Sequence, residues 1–140
     1  MKKIFVDTNI LLDLLTRREP YFKEAERLFS LADRKKIELS ISALTVANVS
    51  YILMKYLEAG KVREILRKIR LLVKILPLDD KIIDLALNDE NFKDFEDALQ
   101  YYTALENRQD LIISRNVKDY KAAAIPVMPA HEFLQMVQNQ

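Results

Sequence analysis

The sequence has no cysteine, a single glycine and a single histidine. Without cysteine there are no disulfides, no thiol catalysis and no cysteine-ligated zinc. The lone Gly60 excludes a Walker loop or a dinucleotide fingerprint, because both need several glycines to bring backbone N–H groups up to phosphate. A chain of this composition that handles phosphate must do so with side chains or metal ions. His131 is the only imidazole, and no serine lies in a nucleophile-elbow context, so a serine triad is not expected. An excess of either charge is also missing: 22 Lys and Arg against 21 Asp and Glu leave a net charge of +1. That balance neither demands nor excludes a nucleic-acid partner, and any such case rests on local patches. No apolar run has the length needed to cross a bilayer, since Leu71 to Leu78 is broken by Lys74 and Pro77. The basic start Met1-Lys2-Lys3 runs into an apolar stretch that stops at Asp7, too short for a signal-peptide core. A soluble cytoplasmic protein is expected.

What is present suits a packed core. Half of the 140 residues are apolar and 31% are charged, which reads as one domain over residues 1–140. Strands are expected at Lys3–Val6, Glu38–Ser42, Lys74–Pro77, Leu111–Ser114 and Ile125–Met128. Helices are expected at Tyr21–Lys35, Thr45–Leu57, Lys61–Leu72, Asp79–Leu87 and Asp94–Asn107, with a last one from Ala130. Gly60 reads as the C-cap between the second and third of these. Strands alternating with helices predict an α/β fold, a parallel sheet covered on both faces.

The start Ile4-Phe5-Val6-Asp7-Thr8-Asn9 takes an apolar triplet straight into three polar side chains. Asp7 therefore stands at the carboxyl end of a strand, where open α/β sheets bind ligands. Two readings stand side by side there: a helix cap or a ligand-binding carboxylate. Asp97 opens a later helix, and Asp119 follows the strand Leu111–Ser114. Strand topology can bring all three aspartates to one sheet edge. Carboxylates gathered there suit Mg²⁺ or Mn²⁺, which take oxygen ligands and keep several waters. Asp94 and Asp97, three apart, can share one helix face. Acids such as Asp94, Glu96 and Asp97 are also what the macrodipole favours at a helix N-terminus.

Three motifs together resemble the PIN-domain family of metal-dependent ribonucleases, in particular VapC-like toxins of bacterial toxin–antitoxin pairs. They are Val6-Asp7-Thr8-Asn9 with Leu12-Asp13, Asp94-Phe95-Glu96-Asp97-Ala98, and Ile113-Ser114-Arg115-Asn116 with Lys118-Asp119-Tyr120. The resemblance implies a sheet of about four to five parallel strands flanked by helices, with an acidic pocket at one end. It implies hydrolysis of RNA by metal-activated water, leaving a 5′-phosphate and a 3′-hydroxyl. Carried over by position, Asp7 and Asp97 would hold Mg²⁺ or Mn²⁺, with Asn116 or Asp119 as a further group. Asp119 is preferred because it carries charge. Ser114 would hold a ligand or a water with its hydroxyl, and Asn9 would orient Asp7.

One position departs from the family. A glutamate is usual in the helix after the second strand, and Asn48 stands there. Asn48 offers a carbonyl oxygen and no charge, which motivates an alternative: a weakened or inactive scaffold that binds RNA or a protein. A phosphatase or phospho-acceptor built on Asp7 fits poorly, since Asn9 occupies the place of the second aspartate a haloacid-type phosphatase needs. Arg115 and Lys118, with Lys121 beyond and Arg17 and Arg18 near the first motif, are candidate phosphate contacts. Tyr101 and Tyr102 read as packing rather than base stacking. The basic run Lys61, Arg63, Arg67, Lys68 and Arg70 reads as a solvated face. In the resembling toxins this part of the chain grips a small antitoxin and a second copy, so Tyr51, Met54 and Tyr56 are candidates for such contacts.

Overall fold

The computed structural model describes residues 1–120 and 123–138. Five strands form one sheet: β1 (Lys3–Val6), β2 (Glu38–Ser42), β3 (Val73–Leu76), β4 (Leu111–Ile113) and β5 (Val127–Met128). Their order is β3-β2-β1-β4-β5, and every neighbouring pair is parallel. Among the described residues seven helices accompany them: α1 (Thr8–Leu15), α2 (Phe22–Asp33), α3 (Ala43–Leu53), α4 (Ala59–Arg70), α5 (Asp80–Leu87), α6 (Phe95–Glu106) and α7 (Ala130–Gln138). Among the described residues no helix is long and apolar enough to cross a membrane.

The apolar triplet of β1 is central and wholly buried, as a parallel strand covered on both faces should be. Alternation then divides the core. Ile4, Val6, Leu39, Ile41, Leu111 and Ile113 pack with α1, α2, α3, α4 and α7. Phe5 and Ile112 point the other way, into the layer built by Ile82, Ala86, Ala98, Leu99 and Tyr101 of α5 and α6. The order of strands places the site. From β1 the chain adds β2 and β3 on one side, then returns to add β4 and β5 on the other. The crevice beyond the carboxyl ends of β1 and β4 is thus a topological switch point, the usual place for a ligand in such sheets.

The sheet and helices follow the expected pattern, with α1 added to the helices expected and with corrections at Gly60 and at both ends of α3. Gly60 is not a C-cap: it lies in the first turn of α4, with Glu58 as the N-cap. Gly60 does not have a positive φ; the left-handed positions among the described residues are taken by Arg17, Lys35 and Arg108 instead. The preceding helix stops at Leu53, short of the expected Leu57, and its closing turn uses Met54 in right-handed conformation. At its other end α3 starts before Thr45, because the Ser42 hydroxyl accepts from the Thr45 N–H at 3.0 Å and caps it.

Candidate active site

Asp7 leaves β1 and caps α1, its carboxylate accepting from the Thr8 N–H at 2.8 Å. The cap and the ligand-binding readings therefore coexist in one residue. The same carboxylate takes three further donors: Gln100 Nε2 at 3.3 Å on Oδ1, and Ser114 Oγ at 2.8 Å and the Tyr120 hydroxyl at 3.0 Å on Oδ2. Ser114 comes from the end of β4, Gln100 from α6, and Tyr120 from the short 3₁₀ turn Val117–Tyr120. Asp7 is 7% exposed, and among the described residues no lysine or arginine pairs with it. Every hydrogen-bond partner of this buried carboxylate is therefore a neutral donor.

Asp97 lies in the first turn of α6, behind the N-cap Asp94, whose carboxylate accepts from the Glu96 N–H at 2.8 Å. Burial first, then the charges of Asp94, Asp7, Asp119 and Glu96, push the Asp97 carboxyl up from 3.8 to about 7. The Asp97 carboxyl thus feels the charges of both Asp7 and Asp119. Two adjoining cavities share Asp94 and Asp97. One, of about 450 Å³, is lined also by Asp7, Asn9, Asn48, Glu96, Gln100 and Asn116. The other, of about 400 Å³, carries Asp119, Lys118 and Lys93.

Several supporting residues do something other than expected. The Ser114 hydroxyl donates to Asp7 and accepts from the Asn116 N–H at 3.0 Å, so it holds a carboxylate rather than a ligand or water. Among the described residues Asn9 makes no side-chain hydrogen bond to Asp7; its Oδ1 accepts from the Arg115 N–H at 3.5 Å, tying α1 to the segment after β4. Asn48 reaches across the cavity to Glu96, Nδ2 donating to Oε1 at 2.8 Å. Arg115 is engaged by buried Asp13 through Nε at 2.9 Å and Nη2 at 3.2 Å, and lies 4.1 Å over the Tyr21 ring. Burial still pushes the Asp13 carboxyl up, although Arg115 and Arg18 pull it down. Lys118 is exposed, and Lys121 lies outside the described residues. Tyr101 is buried against Phe92, and the Tyr102 hydroxyl donates to Asp89 at 2.7 Å, so both pack as expected. His131 faces Glu24 at 4.0 Å, beside α2.

A model of the PIN domain matches residues 3–118 of the chain. The chain belongs to the PIN-domain family. It is 30% identical over 136 residues to "Ribonuclease VapC1" of Aquifex aeolicus (strain VF5), covering 94% of this chain and 93% of that one. Among solved structures, a toxin–antitoxin complex from Klebsiella pneumoniae is 27% identical with a TM-score of 0.68, over 91% of this chain and 97% of that one. The fold of VapBC-1 from nontypeable Haemophilus influenzae superposes with a TM-score of 0.70 at 17% identity, over 92% and 98% of the two chains.

Two residues of this PIN domain escape a sequence reading. Gln100 is 3% exposed and, besides Asp7, donates to Thr45 Oγ1 at 2.9 Å and accepts from the Ser42 hydroxyl. It thereby joins α6 to the ends of β1 and β2. The available signal is an amide among Ala98, Leu99 and Tyr101 on a buried helix face. Tyr120 is the other. It is 3% exposed, and its hydroxyl is pushed well above its usual range by burial and by the neighbouring Asp7.

Among the described residues no three His, Asp or Glu side chains stand close enough to enclose an ion by themselves. The donor set nonetheless fits Mg²⁺ or Mn²⁺, which bind through one or two carboxylates and keep waters and substrate phosphates as the remaining ligands. Asp97, strained by its neighbours' charge and with no hydrogen-bond donor among the described residues, is the group such a cation would relieve.

Proposed function

We propose that this PIN domain is a divalent-cation-dependent endoribonuclease and the toxin of a toxin–antitoxin pair. The observation that carries the reading is the convergence of Asp7 and Asp97 at the β1/β4 switch point, their charges uncompensated by any lysine or arginine ion pair among the described residues. The 30% identity to a ribonuclease over nearly the whole chain supports the same chemistry. Asp7 and Asp97 would hold Mg²⁺ or Mn²⁺, with Asp119 contributing from the adjoining cavity. When bound, the ion polarises the phosphodiester, lowers the pKa of water and shields the leaving oxygen.

The chain's own side chains set up that reaction. Ser114, Tyr120, Gln100 and the Thr8 N–H fix both oxygens of Asp7 without discharging them. Lys118 and Lys93, beside Asp97 and Asp119, offset the repulsion between an RNA backbone and the carboxylates. Arg115 is largely spent on Asp13, which leaves Lys118 the freer phosphate contact. The expected products carry a 5′-phosphate and a 3′-hydroxyl.

An antitoxin partner is supported by the toxin–antitoxin complex among the similar structures. Tyr51, Met54, Tyr56 and Leu57, all exposed at the end of α3 and just beyond, offer an apolar face for it or for a second copy of the chain. The presence of an amide at Asn48 favours a second reading, a scaffold that binds RNA or protein without cutting it. Incubating purified protein with RNA decides between them. Cleavage with Mn²⁺ or Mg²⁺ that EDTA abolishes supports the nuclease; intact RNA under every metal condition supports the scaffold.

A further inference from the structure

A further cavity, of about 360 Å³, lies between α1, α2, the start of α7 and the segment that follows β4. Asn116 lines both this cavity and the crevice of Asp7 and Asp97, so the two adjoin. Its volume falls in the range of small-molecule sites, about 300–1,000 Å³. Ile10, Ala25 and Pro129 give it apolar walls, while Asp13, Glu24 and Arg115 bring charge.

Arg115 is held there on two sides. Asp13, 1% exposed, accepts from Nε at 2.9 Å and from Nη2 at 3.2 Å, and the Tyr21 ring covers one face of the guanidinium at 4.1 Å. Asp13 therefore occupies the inner edge of the guanidinium. The outer edge, Nη1 together with the second N–H of Nη2, is a pair of parallel donors with no partner among the described residues. A planar fork fixed in this way binds two adjacent acceptors, on a phosphate or on a base.

Charge decides between those ligands. Asp13 already offsets the Arg115 cation, and Glu24 adds a second carboxylate to the same cavity. Among the described residues no lysine or arginine pairs with Glu24, whose ionic contact is His131 at 4.0 Å. Two carboxylates against one guanidinium repel a phosphate and tolerate a neutral base. Guanine offers the acceptors O6 and N7 side by side to a fork, and its N1–H and N2 amino group are donors for a carboxylate. Adenine sets an amino donor beside N7, where it would meet the second donor of the fork.

We propose that this cavity takes a guanine base of the bound RNA, adjacent to the phosphate at Asp7 and Asp97, with Arg115 binding O6 and N7 and Glu24 accepting from the donor edge. The inference rests on the reading of RNA as substrate and deepens it, because it gives that substrate a preferred base. Asp13 is then a positioning residue that acts through Arg115.

Fluorescence anisotropy in EDTA at low salt, where the RNA stays uncut, tests this with three labelled oligouridines. One carries a central guanine, one carries 7-deazaguanine in its place, and one is uracil throughout. The parent protein is expected to bind the guanine RNA about tenfold more tightly than the 7-deazaguanine RNA, which lacks the N7 acceptor, and at least as much more tightly than the uracil RNA. Arg115→Lys keeps a cation for Asp13 and removes the fork, so the three RNAs should then bind alike. Glu24→Ala should abolish a preference of about threefold for guanine over inosine, which lacks the N2 amino group. A purely structural loss would weaken all the RNAs together and leave these ratios standing. Parent binding that is absent or equal for the three RNAs, or ratios that survive Arg115→Lys, overturns the guanine site. Cutting of the same RNAs in Mn²⁺ tests the nuclease reading by itself, so either can fail while the other stands.

Discussion

The Tyr120 hydroxyl donates to Oδ2 of Asp7 across 3.0 Å, although the two residues stand 113 positions apart. The bond joins the turn after β4 to the end of β1 and sets the direction of the central carboxylate. Tyr120→Phe keeps the buried ring and removes that donor. Cleavage is expected to fall about tenfold, and stability by about 1.5 kcal/mol, the scale of a hydrogen bond to a charged group. Initial rates and urea unfolding of the same preparation check both.

Gln100 serves three elements at once, and its removal should show as stability more than as chemistry. Gln100→Ala leaves Thr45, Ser42 and one Asp7 oxygen short of a partner in a buried setting. A loss of about 2–3 kcal/mol is expected from unsatisfied polar groups together with the cavity. Denaturant midpoints at unchanged slope measure it. A loss below about 0.5 kcal/mol would show that the network is not a tie between strands.

The charge crowd around Asp97 makes the metal-free protein sensitive to pH. Its carboxyl titrates near 3.8 unfolded and at about 7 folded. The folded state therefore binds the proton more tightly, and its contribution to stability is complete below about pH 4 and lost as pH rises through 7. In EDTA, the melting temperature of the parent minus that of Asp97→Asn should fall between pH 4 and pH 8. Mn²⁺ at pH 8 should restore it. Parallel melting curves across this range would mean that Asp97 is not crowded.

Arg115 and Lys118 should separate under mutation. Arg115→Ala strands a buried Asp13 with only Arg18 at 3.9 Å, and a loss of about 3 kcal/mol is expected from an unpaired buried charge. Lys118→Ala should leave stability within about 0.5 kcal/mol while weakening RNA binding and reducing its salt dependence. Melting curves and filter binding at two salt concentrations distinguish the roles.

The parts of this molecule legible in its sequence are those fixed by local pattern. Ile4-Phe5-Val6 reads as a strand buried on both faces because no polar residue interrupts it, and the fold buries it so. The places of Asp7 at a strand end and Asp97 at a helix start are legible because local pattern fixes both elements. Gly60 misled because glycine ends many helices, whereas here it sits in an opening turn where a Cβ would meet nothing within 4 Å, so space penalises neither residue type. What no local pattern carries is the rotation of α3 and α6 about the sheet. The pairing of Asn48 with Glu96 and the place of Gln100 beneath Asp7 depend on it, and the capture of Arg115 by Asp13 depends in the same way on how α1 sits against the segment after β4.

The central claim is that Asp7 and Asp97 together hold the cation that cuts RNA. Single-turnover cleavage of RNA in Mn²⁺ by Asp7→Asn and by Asp97→Asn, each shown to be folded by circular dichroism, tests it most directly. A loss of at least about a thousandfold in both variants is predicted, the scale of removing a principal electrostatic group from an active site. Cleavage at the parent rate by either folded variant would contradict it.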